Sequence, residues 1–316
     1  MRAAFVRYGD RESTVKRRWP GIRSIVHHAA PTNSDNLFAP ARSNAASQFI
    51  VLRFALFLVS LHCLAAEGTA LDAGYRQMYD LRFAEAHESF HQWEQLHPDD
   101  PMGPVSDAAA YLFAEFDRLH ILQSEFFATD EGFLHMRRIE PDPIVRSRFE
   151  SALARGRSLA DAALQRSPSE ENALLATVLR TGLHVDYLAL VERRYLASLT
   201  ELKQGRDIAQ QLLAAHPDCY DAYLAIGVEN YMLSLKPAPL RWLLRLGGAE
   251  TDKDVGIANL RLTAEKGHYL MPYARLLLAV AALRDNNRPK ARQTLTWLAQ
   301  AYPRNPLYRE ELARLQ

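Results

Sequence analysis

The feature that most constrains this chain is a pattern of paired helices, each pair closed by a proline. In the stretch 71–101, Ala86, Phe90 and Trp93 fall within an arc of about 60° when successive residues turn by about 100°, and Pro98 follows them. Residues in such an arc face one core, and proline stops a helix because it lacks a backbone N–H. The pattern predicts two antiparallel helices that share this core.

The same pattern returns nearer the C-terminus. An apolar run begins at Arg275, the turn 285–287 follows it, and Pro303 closes the second helix. Within that second helix, the apolar residues at helical spacing are Ala291, Leu295 and Leu298. Another copy starts at Tyr220, so the pattern is an internal repeat.

The copies are unevenly spaced along the chain. The closing prolines Pro98, Pro168, Pro217 and Pro303 follow one another at intervals of 70, 49 and 86 residues. These intervals predict insertions near residues 124–142, 182–196 and 236–251. The final stretch, 305–316, is predicted to be a terminal capping helix.

This pattern resembles the tetratricopeptide repeat, a pair of antiparallel helices of about 34 residues. Gly74 matches the position where the two helices touch, and the residues from Tyr223 to Tyr231 nearly reproduce the first-helix pattern. The resemblance implies an all-α fold: an irregular α-solenoid of antiparallel helix hairpins over 69–316, with a C-terminal capping helix. No strand-like alternation occurs in the sequence, which also favours an all-α chain.

Two blocks, 82–116 and 227–260, are similar to uncharacterised exported bacterial tetratricopeptide proteins. The second block has Tyr231-Met-Leu-Ser-Leu-Lys-Pro, a leucine-rich helix and Gly247-Gly248. It also resembles the eukaryotic tetratricopeptide repeat protein 39 and inclusion-body-clearance group. Both resemblances imply a helical scaffold, and neither implies a catalytic residue.

The N-terminal region indicates export. An apolar run, 54–66, follows Arg53 and has the length of a signal-peptide core. Small residues come next, so we expect cleavage after Ala66 or Gly68, with a signal peptide at 51–68. Residues 1–50 lack any sustained period and are predicted to be disordered, or to precede a true translation start at Val51. The protein is therefore expected in the bacterial periplasm or cell envelope.

Charge and cysteine content exclude several classes of function. Residues 1–66 carry nine Lys/Arg and three Asp/Glu, a net charge of +6, whereas the remainder carries 29 and 34, a net charge of −5. A mildly acidic mature chain is not expected to bind nucleic acid. Cleavage would remove Cys63 and leave only Cys219, so no internal disulfide is expected. We also expect no cofactor.

One motif suggests a different function. His87-Glu88-x-x-His91 matches the signature of zinc peptidases, in which two histidines on one helix face bind zinc and the glutamate activates water. His97 stands where a third ligand lies in one subclass, but on a continuous helix it points about 120° away from His91. The prediction is therefore no metal and no catalysis, and the alternative is a zinc-dependent metallopeptidase.

The favoured function is binding of a protein or peptide by the concave surface. In solenoids of this kind the first helix of each pair lines that surface. Placed on the repeat, this sequence offers large side chains that suit an adaptable groove, although they could also pack the core. These candidates are Tyr75, Met78, Tyr79, Tyr231, Met232, Tyr273 and Arg284.

A second alternative concerns residues 237–248. Pro237 and Pro239 end one helix, and Gly247-Gly248 ends the next. Between them a short basic amphipathic helix carries Trp242, and such a helix can lie in a membrane surface. Packing within the chain is the favoured interpretation, and membrane-surface association of a peripheral envelope protein is the alternative.

Overall fold

A computed structural model of the chain describes residues 68–122, 140–236 and 238–315. Every regular element in these ranges is helical, so the predicted all-α class is confirmed. Three predicted features lie outside the described residues: the extension 1–50, the signal peptide up to residue 67, and most of the insertion 124–142.

The helices follow one another with short connections. A π-helical turn, Tyr187–Val191, directly continues the fifth helix, and a short 3-10 turn, Tyr220–Ala222, precedes the seventh. The helices of the described ranges are α1 Ala70–Tyr79, α2 Phe83–Leu96, α3 Met102–Arg118, α4 Pro143–Arg166, α5 Glu171–Asp186, α6 Tyr195–Ala215, α7 Tyr223–Ser234, α8 Ala238–Leu246, α9 Lys253–Lys266, α10 Met271–Arg284, α11 Arg288–Ala301 and α12 Leu307–Arg314.

Local sequence signals determine where several helices begin. At α1, the Thr69 hydroxyl accepts the Asp72 backbone N–H at 3.2 Å, and the Asp72 carboxylate accepts the Thr69 N–H at 2.7 Å. This reciprocal capping box satisfies N–H groups that have no partner within the helix. Asp142 caps α4 in a similar way and is followed by Pro143, which suits the first helical position.

Each helix packs mainly against its neighbours in the sequence. The exception is α7, which packs against α9 instead of against α8. The contact between α1 and α2 depends on Gly74. A Cβ added there would lie 2.3 Å from Cε1 of Phe90, closer than atoms can approach. Ala86 and Phe90 are fully buried, as the helical period predicts. Gly256 has a similar role, because an added Cβ would lie 2.6 Å from the Tyr231 nitrogen.

The apolar core is divided among several clusters. The largest joins α1, α2, α3, α5 and α6, and a second joins α3 and α4 to the π-helical turn. Two smaller clusters lie along α7, α9 and α10 and along α10, α11 and α12.

By length and composition alone, the stretch Glu171–Val191 could cross a bilayer, but 56% of its most apolar part is buried inside the protein.

The last helices of the chain return to the first. The Asn305 side chain donates a hydrogen bond to the Tyr79 carbonyl at 3.0 Å, and the Arg304 N–H donates to the Asp80 carboxylate at 3.2 Å. The Tyr79 hydroxyl also donates to the Tyr269 carbonyl at 3.1 Å. These contacts place α1 beside the segment before α10 and the segment after α11.

The other predicted insertions contain different elements. Residues 182–196 comprise the end of α5, the π-helical turn and Arg193, whose φ of 58° lies in the left-handed region. Residues 236–251 contain α8, the short helix that the prolines and glycines predict. At the C-terminus, α12 lies within the predicted range 305–316 and packs on α11.

Candidate functional site

A cleft of about 450 Å³ opens where the two ends of the described chain meet. One wall is α1, the opposite wall is the segment 268–272, and Tyr302 borders a third side. The cleft is lined by Gly68, Asp72, Ala73, Tyr75, Arg76, Tyr79, His268, Tyr269, Pro272 and Tyr302.

The α1 wall follows from helical spacing. Asp72, Arg76 and Tyr79 are four and three residues apart, so they lie on one face of the helix. The capping box holds Asp72 at the start of that face. Arg76 is exposed, whereas Tyr79 is 4% exposed. The wall therefore changes from charged at its outer side to aromatic at its base.

The opposite wall is held by one buried carboxylate, that of Asp221. It is 3% exposed and accepts backbone N–H groups from His268, Tyr269 and Leu270 at 2.9, 2.9 and 3.1 Å. Three donors in succession fix the path of this segment. Sequence reasoning missed Asp221, because an aspartate just before a helix is ordinarily interpreted as the cap of that helix.

The base of the cleft is aromatic and uncharged. The rings of Tyr75 and Tyr269 stack with their centroids 4.6 Å apart, and the Tyr79 and Tyr302 rings are 5.6 Å apart. The Tyr75 hydroxyl accepts a hydrogen bond from Ser106 at 3.0 Å. Burial raises the pKa of both Tyr75 and Tyr79 above the ordinary value, so both phenols stay protonated.

The rim of the cleft is charged. The His268 imidazole and the Asp72 carboxylate lie 2.7 Å apart, with 65% and 29% of their side chains exposed. The exposed Arg76 lies on the same side of α1. An aromatic base beneath a polar rim can hold an apolar side chain while polar groups remain near water.

Three of the predicted binding residues lie at or near this cleft. Tyr75 and Tyr79 line the cleft. Met78 lines a separate cavity of about 20 Å³, together with Phe113 and Tyr273. The Tyr273 hydroxyl donates a hydrogen bond to Asp186 at 3.2 Å instead of facing the cleft.

The remaining predicted residues lie elsewhere. Tyr231 is 4% exposed in the cluster between α7, α9 and α10, and Arg284 is half-buried at the end of α10. Met232 is 39% exposed. Burial of Tyr231 favours a packing role, the alternative that the sequence leaves open. The cleft residues that the sequence did not single out for binding are Gly68, Asp72, Ala73, Arg76, His268, Tyr269, Pro272 and Tyr302.

The peptidase-like motif lies on α2, away from this cleft. His87 Nδ1 is 2.5 Å from the Asp107 carboxylate of α3, whereas Glu88 is exposed. The His97 ring packs against the Trp93 ring, with a centroid distance of 3.9 Å and an angle of 35° between the ring planes. Glu115 of α3, which could otherwise supply a further ligand, accepts hydrogen bonds from Arg118 and from the Asp142 N–H.

No protein-family model and no curated protein matches the chain.

Proposed function

We propose that this protein is a non-catalytic, exported helical scaffold that binds a protein or peptide at the cleft between α1 and residues 268–272. The proposal includes an irregular tetratricopeptide-like solenoid, in which the cleft is the part of the concave surface that stays open. Two findings support the solenoid: helices pack in order along the chain, and Gly74 lies at the close contact of the first pair.

The observation that carries the proposal is a cleft that stays open beside the aromatic contact between α1 and residues 268–272. Tyr75, Tyr79 and Tyr269 fill the space between α1 and residues 268–272, yet about 450 Å³ remains open beside them. This volume lies in the range of about 300–1,000 Å³ that is usual for ligand sites. A single large apolar side chain of a peptide would fit there.

The rim suggests how a peptide would be oriented. Arg76 has an exposed guanidinium, which can bind a carboxylate or a backbone carbonyl. Tyrosine rings supply contact area and lose little side-chain entropy on binding. The proposed ligand is therefore a peptide segment with an apolar anchor and an acceptor group one or two residues from it.

Selection from a displayed peptide library tests this proposal. Ala73→Trp fills the cleft, and Arg76→Glu reverses the charge at its rim. Ala154→Trp places the same large side chain on an exposed face of α4 and serves as the control. We expect selected peptides to lose at least about tenfold in affinity with either cleft variant, about 1.4 kcal/mol, and to bind the control normally.

Two outcomes would contradict the proposal. One is the failure of repeated selections to yield any peptide that binds the wild-type protein. The other is selected peptides that bind the Ala73→Trp protein as tightly as the wild type, since their site would then lie outside the cleft.

A second candidate function is association with a membrane surface through α8. Trp242 and Leu246 are four residues apart on this helix and therefore share a face, with 65% and 67% of their surfaces exposed. An exposed apolar pair next to arginines is typical of helices that lie in a lipid headgroup region. The exposed pair on α8 is the observation that favours association with a membrane surface.

The position of α8 is held from one side by polar contacts. Lys203 donates to the Gly247 carbonyl at 2.8 Å, and the buried Arg206 donates to the Gly248 carbonyl at 2.9 Å. Arg206 also pairs with Glu229 at 3.2 Å. These bonds fix the end of α8 while Trp242 remains in solvent.

Flotation with vesicles that contain anionic lipid tests this candidate. Trp242→Asp should abolish flotation if α8 is the contact, because a carboxylate opposes insertion. Leu196→Asp is the control, since Leu196 is 84% exposed at the start of α6. Equal flotation of both variants, or no flotation of the wild type, would remove membrane association from consideration.

A further inference from the structure

Three side chains of α2 and α3 bring their donor atoms together at one point. His91, Glu94 and Asp107 each offer one ligand atom, and these atoms all lie within 4.8 Å of one another. His91 and Glu94 are three residues apart and share a face of α2, and Asp107 approaches from α3. We call this set the α2–α3 donor cluster.

A glycine allows the two helices to approach this closely. Gly103 faces α2, and a Cβ added there would lie 2.5 Å from Cγ of Glu94. Asp107 follows one turn later on the same face of α3. The missing side chain at Gly103 therefore lets Glu94 and Asp107 share the same narrow space.

The donor cluster concentrates negative charge in a largely buried place. Glu94 is 8% exposed and Asp107 is 5% exposed. Arg155 pairs with Glu94, and among the described residues both ion-pair partners of Asp107 are histidines. Arginine pairs with only one of these two buried carboxylates, and a bound cation would offset their charge more fully.

The separation between His91 and Asp107 suits a tetrahedral ion. His91 Nε2 lies 3.5 Å from Asp107 Oδ2, and two ligands of a tetrahedral zinc ion are about 3.3 Å apart when each bond is about 2.0–2.1 Å. The other Asp107 oxygen is 2.5 Å from His87 Nδ1. His87 thus holds the Asp107 carboxylate in position, as an outer ligand partner does in many zinc sites.

We propose that His91, Glu94 and Asp107 form a Zn²⁺ site that links α2 to α3. A mixed set of imidazole and carboxylate donors favours zinc over calcium or magnesium, which prefer oxygen ligands. His91 has 53% of its side chain exposed, so the ion can enter from solvent. This ligand set differs from the peptidase motif, because Glu88 is no ligand and the third donor comes from the next helix. The proposed zinc site revises the expectation that the chain binds no metal. The zinc proposal does not depend on the proposed function.

Titration calorimetry of the purified metal-free protein with zinc chloride tests the site. We expect one equivalent to bind, with affinity reduced at least about tenfold by His91→Ala and by Asp107→Asn. His97→Ala is the matched control, since His97 lies at the end of the same helix but packs against Trp93. It should bind zinc as the wild type does. Magnesium should give no comparable heat.

A second readout covers the case in which the buried Asp107→Asn variant is unstable. Zinc should raise the Tm of the wild type and of His97→Ala but leave that of His91→Ala unchanged, because a ligand stabilises only the state that binds it. His91 is exposed, so its removal should preserve the fold. The proposal is wrong if the wild type binds no zinc, if His91→Ala binds it unchanged, or if His97→Ala loses it equally.

Discussion

At the scale of single residues, Gly74 shows how closely the first two helices are fitted. Its Cα faces the Phe90 ring, and an added methyl group would overlap Cε1 at 2.3 Å. Phe90 is fully buried, so its ring has little room to move. In a packed core the neighbouring helix must therefore shift to accept even one extra carbon.

We expect Gly74→Ala to lower the free energy of unfolding by about 1–3 kcal/mol. Gly182→Ala is the matched control, because Gly182 also lies within a helix but nothing stands within 4 Å of its added Cβ. That variant should be neutral or gain up to about 1 kcal/mol from helix propensity. Urea unfolding measures both, and equal effects of the two substitutions would contradict the close contact at Gly74.

Asp186 is a residue whose protonation should couple to stability. Burial raises its pKa to about 7, and the hydrogen bond from Tyr273 opposes this shift. The unfolded chain has an aspartate pKa of about 3.9, so the folded state binds more protons between these two values. The stability contribution of the neutral carboxyl is complete below about pH 4 and is lost as the pH rises through about 7.

Asp186→Asn should remove this dependence while keeping an acceptor for Tyr273. Relative to the wild type, the variant should gain about 1–3 kcal/mol of unfolding free energy between pH 5 and pH 8. Urea unfolding at both pH values provides the measurement. A difference between the two proteins that is the same at pH 5 and pH 8 would show that Asp186 does not titrate there.

At the scale of elements, the helices are the part of the fold that the sequence predicts well. The face of Ala86, Phe90 and Trp93 and the short helix before Gly247-Gly248 occur where the periods and breakers place them. Such signals are local, because a helix is built from bonds between residues four apart and ends at residues that cannot continue it. Local signals are therefore sufficient to predict where these helices lie in the sequence.

The segment 268–270 illustrates what local signals miss. It has no helical period, and its conformation is set by Asp221, which lies 47 to 49 residues earlier in the sequence. The α2–α3 donor cluster is similar, since Asp107 of α3 meets His91 of α2. Contacts between residues so far apart in the sequence depend on how whole helices pack. The spacing of residues in a single sequence does not reveal this packing.

Asp221→Ala should destabilise the protein by about 3 kcal/mol, because three buried N–H groups would lose a charged acceptor. Asp218→Ala is the control, since Asp218 is exposed three residues earlier and should change stability by less than about 0.5 kcal/mol. Chemical unfolding measures the stability, and amide hydrogen exchange should quicken at residues 268–270 in Asp221→Ala. Unchanged exchange there would contradict the role of Asp221.

At the scale of the whole molecule, the contact between α1 and the C-terminal helices determines where a partner could bind. The predicted concave-face residues Tyr75 and Tyr79 are mostly covered by Tyr269 and Tyr302, so the open surface is the cleft beside them. Whether α1 meets residues 268–272 and Tyr302 depends on the angles between all the helices that lie between them. For that reason the sequence alone could not locate the cleft.

Photo-crosslinking in cells that produce the protein tests the central claim most directly. A photoreactive amino acid at Ala73 would lie in the cleft, and the same amino acid at Ala154 would lie on an exposed face of α4. The cleft proposal predicts a discrete adduct from position 73 that is absent from position 154 and is lost in the Arg76→Glu background. The same adducts from both positions, or none from position 73, would contradict it.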